Sequence, residues 1–272
     1  MTIDAVTAAT SAMETFFYPV GTEYFWNVAL PLSSVFASLN AYKLETSGQN
    51  MGYSKFAQGS KKLQMPSKWG MFLLYFPAAL VALWWLLTMG DADNLERVQL
   101  VGCLLVVHFW KRVLEVLFLH KFSGKQDVVT SIFISSTYAF NTFALLYVQN
   151  YVCTNSPAPS LDLTTLGVGI FTVGVLGNLY HHWILAGLRK DKDGGYQVPQ
   201  GGLFGLVTCP HYFFEIVDFL GMALASQTFY AFGWFAFTTG YLSGRSVATR
   251  NWYLKKVDGF PEDRKNILPF LF

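Results

Sequence analysis

Residues 201–243 read GGLFGLVTCPHYFFEIVDFLGMALASQTFYAFGWFAFTTGYLS. The stretch is long and apolar enough for two membrane crossings with a bend near Ser226, since one crossing takes about 20 residues. Yet His211, Glu215 and Asp218 lie inside the first of them, and Arg245 and Arg250 follow the second. Ionisable groups at membrane depth are costly, so they pair, face a wet cavity or hold a ligand. Pro210 suits the first turn of a helix. From there His211, Glu215 and Asp218 fall at i, i+4 and i+7, on one helical face.

The rest of the chain follows the same logic. Of 272 residues, 53% are hydrophobic and only 13% charged, about half the charged content of a soluble domain. Further crossings are expected at Tyr24–Tyr42, Gly70–Met89, Val98–Leu119, Val128–Asn150 and Leu161–Leu188, giving an all-α bundle of seven spans. Loop charge agrees: residues 1–23 carry three acids and no base, while 43–68 carries five lysines against one acid. That alternation predicts a lumenal N-terminus and a cytosolic C-terminus. Residues 1–23 lack the basic and apolar regions of a secretory signal, so insertion is expected to use an internal span. Cys103, Cys153 and Cys209 are dispersed and suggest neither a disulfide framework nor a metal site. A net charge of +2 with no basic stripe gives no reason to expect nucleic acid. Oligomeric state is left open.

Three more polar sets stand out. His108, Lys111, Arg112 and Glu115 share a face of the third span, with His120 at its end; a Lys111 or Arg112 pair with Glu115 is the structural alternative to a site. Asn178, His182 and Arg189 share a face of the fifth. Gly167, Gly169, Gly174 and Gly177 sit mid-span, where they read as close helix packing rather than a dinucleotide fingerprint, which should follow a strand. The tail adds Arg245, Arg250, Tyr253, Lys255 and Lys256, and arginine's planar fork suits phosphate. Together these sets predict a pocket for a large polyanionic ligand, open to the cytosol above an apolar cavity.

The order of Asn178…Arg189, Tyr196-x-x-Pro-x-Gly-Gly-Leu-Phe, Cys-Pro-His-Tyr-x-x-Glu215, Arg245…Trp252-Tyr253-Leu-Lys and Phe260-Pro-x-x-Arg-Lys…Pro269-Phe resembles the C-terminal domain of the steroid 5-alpha-reductase family. The likeness covers about 105–272, with 1–104 as N-terminal spans of one structural unit. It implies an endoplasmic reticulum protein that binds NADPH and reduces a carbon–carbon double bond conjugated to a carbonyl in a lipid. Asn178, Arg189, Tyr196, His211, Glu215, Arg245 and Tyr253 would form the cofactor site. His211 stands where Asn is usual, and Thr249 where many members have His.

Two departures concern the substrate. Leu74-Tyr75 replaces the Gln-Glu of steroid reductases, and Phe109 replaces a Tyr; Tyr75, Phe109 and Arg112 are the candidate substrate residues. The segment from Lys111 to His120 resembles enoyl-CoA reductases of fatty acid elongation, which implies Lys111 and Tyr212 as a catalytic pair. The leading expectation is therefore a trans-2-enoyl-CoA reductase. The alternatives are reduction of a 4-ene-3-one steroid or a polyprenol, a membrane methyltransferase, or a lipid binder without catalysis. The methyltransferase signature Arg-His-Pro-x-Tyr is missing, since the chain reads Thr-Cys-Pro-His-Tyr.

Overall fold

The computed structural model describes residues 13–57, 63–89, 96–188 and 196–272. Among them are seven long helices: α1 (Leu30–Thr46), α2 (Ser67–Met89), α3 (Glu96–Leu114), α4 (Val128–Asn155), α5 (Thr164–Gly187), α6 (Pro210–Ser226) and α7 (Phe229–Lys256). A π turn, Phe25–Ala29, leads into α1, and another, Glu115–Leu119, runs on from α3. The helices match the seven expected spans in order, and the expected bend at Ser226 is the α6–α7 junction. By length and composition, three are fit to cross a membrane: Ser67–Thr88, Val128–Asn155 and Thr164–Gly187. The others fall short for visible reasons. α1 and α6 have 17 residues each, at the lower limit of a crossing; α3 carries charges in both its first and last turns, and the apolar run of α7 is diluted by Gly, Thr, Tyr and Ser ahead of Arg245.

Glycine sets the closest helix contacts. A Cβ on Gly167 would fall on the backbone of Ala225, one on Gly174 on Asp218, and one on Gly221 on Phe171. α5 and α6 therefore meet backbone to backbone, as small residues allow in a bundle. Gly177 likewise leaves room for the Phe214 ring, whereas Gly169 faces open space. The packing reading of this glycine series holds at three of its four positions. Between α1 and α7 the same device recurs: a Cβ on Gly233 would come within 2.7 Å of Pro31 Cα, and one on Gly244 within 2.9 Å of Tyr42 Cα.

A short antiparallel clip joins the loops ahead of α2 and α4. β1 (Gln64–Pro66) pairs with β2 (Lys125–Asp127) through Gln64↔Asp127, Met65↔Gln126 and Pro66↔Lys125. Asp127 then caps α4, its Oδ1 accepting from Thr130 N at 2.7 Å, which satisfies one of the free amides of that helix start. The core lies between α2, α3, α4, α6 and α7 and includes Leu74, Leu105, Phe109, Leu145, Met222 and Trp234.

Candidate functional site

Helical spacing delivers the third-span set to one place. Lys111 Nζ lies 3.1 Å from Glu115 Oε1 and also donates to Asn178 Oδ1 on α5. Arg112 Nη1 pairs with Glu115 Oε2; its Nη2 donates to the Tyr75 hydroxyl of α2 at 2.8 Å. His182 Nδ1 sits 3.1 Å from Glu115 Oε2 and 2.7 Å from Arg112 Nη1. Glu115 is thus the anion at the centre of a buried network tying α2, α3 and α5, and both of its expected pairings form at once. A buried carboxylate is tolerable only with such partners.

Asn178 carries the network to α6. Its Nδ2 donates to the His211 carbonyl at 2.8 Å and, more loosely, to Glu215 Oε2 at 3.3 Å. The side chain is fully buried, with oxygen and nitrogen both engaged, so Asn178 orients Glu215 from behind. Glu215, by contrast, is half-buried along with every residue from His211 to Val217. This is the open side of α6. His211 Nδ1 lies here without a hydrogen-bond partner, and its ring is 4.2 Å from that of Tyr212. Tyr53, Arg245 and Glu215 all bear on Tyr212 electrostatically.

The neighbouring histidine is spoken for. His181 Nδ1 sits 2.7 Å from Gly177 O, and its Nε2 accepts from Leu203 N at 3.1 Å. Adjacent His181 and His182 do diverge, as their positions on a helix require. Glu115, His120 and His182 each offer a ligand atom within 4.8 Å of the others. A divalent ion there would meet the fixed charges of Arg112 and Lys111, which already neutralise the carboxylate.

The seventh-span arginine has another partner. Arg245 is 1% exposed. Its Nη1 donates to Glu45 Oε2 at 3.1 Å and to Met51 O at 3.3 Å, and Nη2 donates to Tyr53 O at 3.1 Å. The guanidinium also stacks on the Tyr53 and Phe56 rings, 4.4 and 4.1 Å from their centroids. It fastens the loop after α1 onto α7, and its fork is not presented to a phosphate. Tyr53 adds a second tie, its hydroxyl 2.5 Å from that of Tyr241.

Tyr253 is buried and stacked on Phe260, while half-exposed Tyr196 packs edge-on against Trp252. Lys55 lies over the Trp252 and Tyr253 rings. Thr249 Oγ1 and Trp252 Nε1 are buried without hydrogen-bond partners. Arg189, with Lys61 and Lys62 of the basic loop, lies outside the described residues.

Of the candidate substrate residues, Tyr75 and Arg112 bond each other, and Phe109 is buried against Tyr138 and Trp234. Beneath Glu215 is a small cavity of about 30 Å³ lined by His108, Phe109, Tyr138, Glu215, Trp234 and Tyr241 among others. His108 Nδ1 stands 3.3 Å from Asp218 Oδ2. The spacing of His108 within its span signalled a role, but its partner, 110 positions along the chain, left no local signal.

Known proteins resemble this chain in sequence. A profile of the family described as 3-oxo-5-alpha-steroid 4-dehydrogenase matches residues 126–272, more than half of the chain. A steroid 5-alpha-reductase of Gossypium hirsutum is 46% identical over 107 residues, 39% of this chain and 42% of that protein. A 3-oxo-5-alpha-steroid 4-dehydrogenase 1 of Macaca fascicularis is 29% identical over 233 residues, 82% of this chain and 86% of its own length. Its Homo sapiens counterpart is 44% identical over 107 residues, 39% of this chain and 41% of that protein. The strongest identity thus spans about two-fifths of the cotton and human proteins. These relatives are steroid reductases, which moves the reading away from a trans-2-enoyl-CoA and towards a steroid. The chain belongs to the 3-oxo-5-alpha-steroid 4-dehydrogenase family, oxidoreductases that act on a CH–CH group with NADP as acceptor.

Proposed function

We propose that this protein reduces the carbon–carbon double bond of a 4-ene-3-one steroid or sterol with NADPH, at the half-open face of α6. The observation that carries this reading is Glu215. It is a half-buried carboxylate whose one hydrogen bond among the described residues is a 3.3 Å contact from Asn178, so it keeps acceptor capacity for a ligand amide or hydroxyl. Membership of the family supports the same conclusion.

The residues fit the cofactor at its amide end. Glu215 accepts, His211 offers an unpartnered Nδ1 and Thr249 an unpartnered hydroxyl, a combination suited to a group rich in donors and acceptors. Tyr196 and Tyr253 bring aromatic faces to the same end of α7. Arg189 is the base assigned to the phosphates, because Arg245 is committed to Glu45. When bound, NADPH supplies a hydride to the β carbon of the enone. Charge then gathers on the carbonyl oxygen, and a donor aimed at that oxygen stabilises it; a proton goes to the α carbon. Lys111 and Arg112 hold Glu115 and Asn178 in place and thereby fix Glu215. Tyr212, beside His211, remains the proton donor to the α carbon.

Purified protein decides the matter by NADPH oxidation at equal concentrations of a 4-ene-3-one steroid and a trans-2-enoyl-CoA. Faster oxidation with the steroid is expected. Faster oxidation with the thioester restores the elongation reading, and none with either points to a binder.

A further inference from the structure

Asp218 has no exposure; its Oδ1 has no hydrogen-bond partner among the described residues, and its Oδ2 faces only His108. His108 is also buried, its Nδ1 3.3 Å from Asp218 Oδ2. Leaving such groups unsatisfied in an apolar interior is expensive, and incomplete pairing of this kind in a folded protein asks for an explanation. The pair is framed by rings: His108 meets Phe109 and Phe219 edge-on at 4.9 and 5.0 Å. Rings on this scale hold the imidazole in place without satisfying it.

The imidazole forms part of the cavity wall, between Phe109, Tyr138 and Glu215. At about 30 Å³, the space takes one water or one carbonyl oxygen. The rest of a lipid would need the apolar walls of Trp234 and Phe237 to part. Phe109 carries no hydroxyl, and the Tyr75 hydroxyl is taken by Arg112. The Tyr241 hydroxyl is taken by Tyr53. Glu215 is an acceptor when ionised and repels an oxyanion. His108 is the wall residue that combines a ring donor with a carboxylate behind it.

We propose that His108 donates the hydrogen bond that polarises the substrate carbonyl, and that Asp218 is its positioning residue: in the protonated ring Nδ1–H donates to Asp218 Oδ2 and Nε2–H faces the cavity. This rests on the enone-reductase reading above. Asp218 stabilises positive charge on the ring as negative charge grows on the substrate oxygen; the other charged groups that act on Asp218 are Glu215 and Lys111. The arrangement is a carboxylate–imidazolium–oxygen line, in which the carboxylate accepts from Nδ1–H and Nε2–H meets the reacting oxygen.

The experiment is steady-state kinetics in detergent with NADPH and a 4-ene-3-one steroid, followed by infrared spectra of the same steroid labelled with ¹³C at the ketone. If wild type shows no turnover, the reductase reading fails and this assignment with it. If wild type turns over, His108→Phe is expected to lower kcat by roughly 100–1,000-fold, the cost of one oxyanion donor, with the KM for NADPH within about twofold. Asp218→Asn should lower kcat by at least about tenfold through the lost orientation, and Asp218→Glu should recover most of that loss. The bound ketone stretch should sit low in wild type and rise in Asp218→Asn, a shift that a purely structural role does not produce. His108→Leu serves if the phenylalanine variant fails to fold, and His108→Gln, which keeps a donor of similar reach, should recover part of the lost kcat. Normal kcat in His108→Leu and Asp218→Asn with an unmoved ketone stretch overturns the assignment. So does a loss confined to Tyr138→Phe.

Discussion

The two ends of α6 treat buried polar groups in opposite ways. At the C-terminal end, Gln227 is completely satisfied. Its Oε1 accepts from Arg97 Nη1 at 2.9 Å and Leu163 N at 3.0 Å; its Nε2 donates to Phe16 O at 2.7 Å and Leu161 O at 2.9 Å. Its backbone closes the helix with N–H to Ala223 O, and its carbonyl accepts from Tyr18 N. Towards the other end, His211 Nδ1 lacks a partner and Glu215 has one long contact, and at mid-helix Asp218 has only His108, 3.3 Å away. A closed network fixes structure, whereas a network with vacancies is poised for something else to complete it. The contrast separates a knot that ties the N-terminal segment and the α4–α5 loop to the bundle from a face built for a ligand.

Breaking the closed end should produce the largest change, and it should be a change in stability. Gln227→Ala removes four side-chain hydrogen bonds, each worth about 1 kcal/mol, and leaves Arg97 and three backbone groups short of a partner. A loss of about 3–4 kcal/mol is expected, read as a lower unfolding midpoint in detergent. Turnover per folded molecule should stay near wild type at low temperature. Full turnover loss with an unchanged midpoint would reverse the roles of the two ends.

The open end should answer in the other way. Glu215→Gln keeps the shape and removes the charge, so folding stability should move by less than about 0.5 kcal/mol, as at sites away from closed networks. Losing a charge-assisted contact costs about 1.5–3 kcal/mol, or roughly 10–150-fold in NADPH affinity. Titration of intrinsic fluorescence with NADPH measures it. An unchanged dissociation constant in Glu215→Gln would remove the main support for placing the cofactor here.

The open end was far easier to find in the sequence than the closed one. His108, Lys111, Arg112 and Glu115 share a face by helical spacing, as do His211, Glu215 and Asp218, and the structure brings those faces together through Asn178. Period alone announces such sets, because an apolar helix has no other reason to carry them. The Arg245–Glu45 pair was hidden by 200 positions of separation, although Glu45 is the lone acid of a lysine-rich loop. Gln227 was invisible for a related reason. Its partners are mostly backbone groups of distant loops, set by how α5 seats on α6 at Gly167, Gly174 and Gly221. The β1–β2 clip has strands of three residues, too short for an alternation to register. The count of seven spans came from apolar stretches, with loop charge in agreement, whereas by length and composition three of the described helices qualify.

The smallest effect belongs to the solvent edge of the closed knot, and acid should reveal it. Asp162 lies in the loop between α4 and α5, mostly exposed, where Arg97 Nη2 approaches its Oδ1 at 2.6 Å. The Thr164 hydroxyl first, then the Thr164 amide and Arg97, hold its carboxyl below the usual aspartate range. All of them favour the ionised form. A depressed carboxylate adds stability that is fully present above its unfolded pKa of about 3.9 and is lost as pH falls through the folded value. Asp162→Asn should therefore cost little at pH 7, because exposed pairs are worth about 0–1 kcal/mol. What it should remove is part of the decline in unfolding midpoint between about pH 5 and pH 3. Salt should shrink the same difference, since the charge is screened by solvent. A wild-type protein and Asp162→Asn that lose stability in parallel on acidification would show that Arg97 is held by Gln227 alone, leaving the knot closed without its carboxylate.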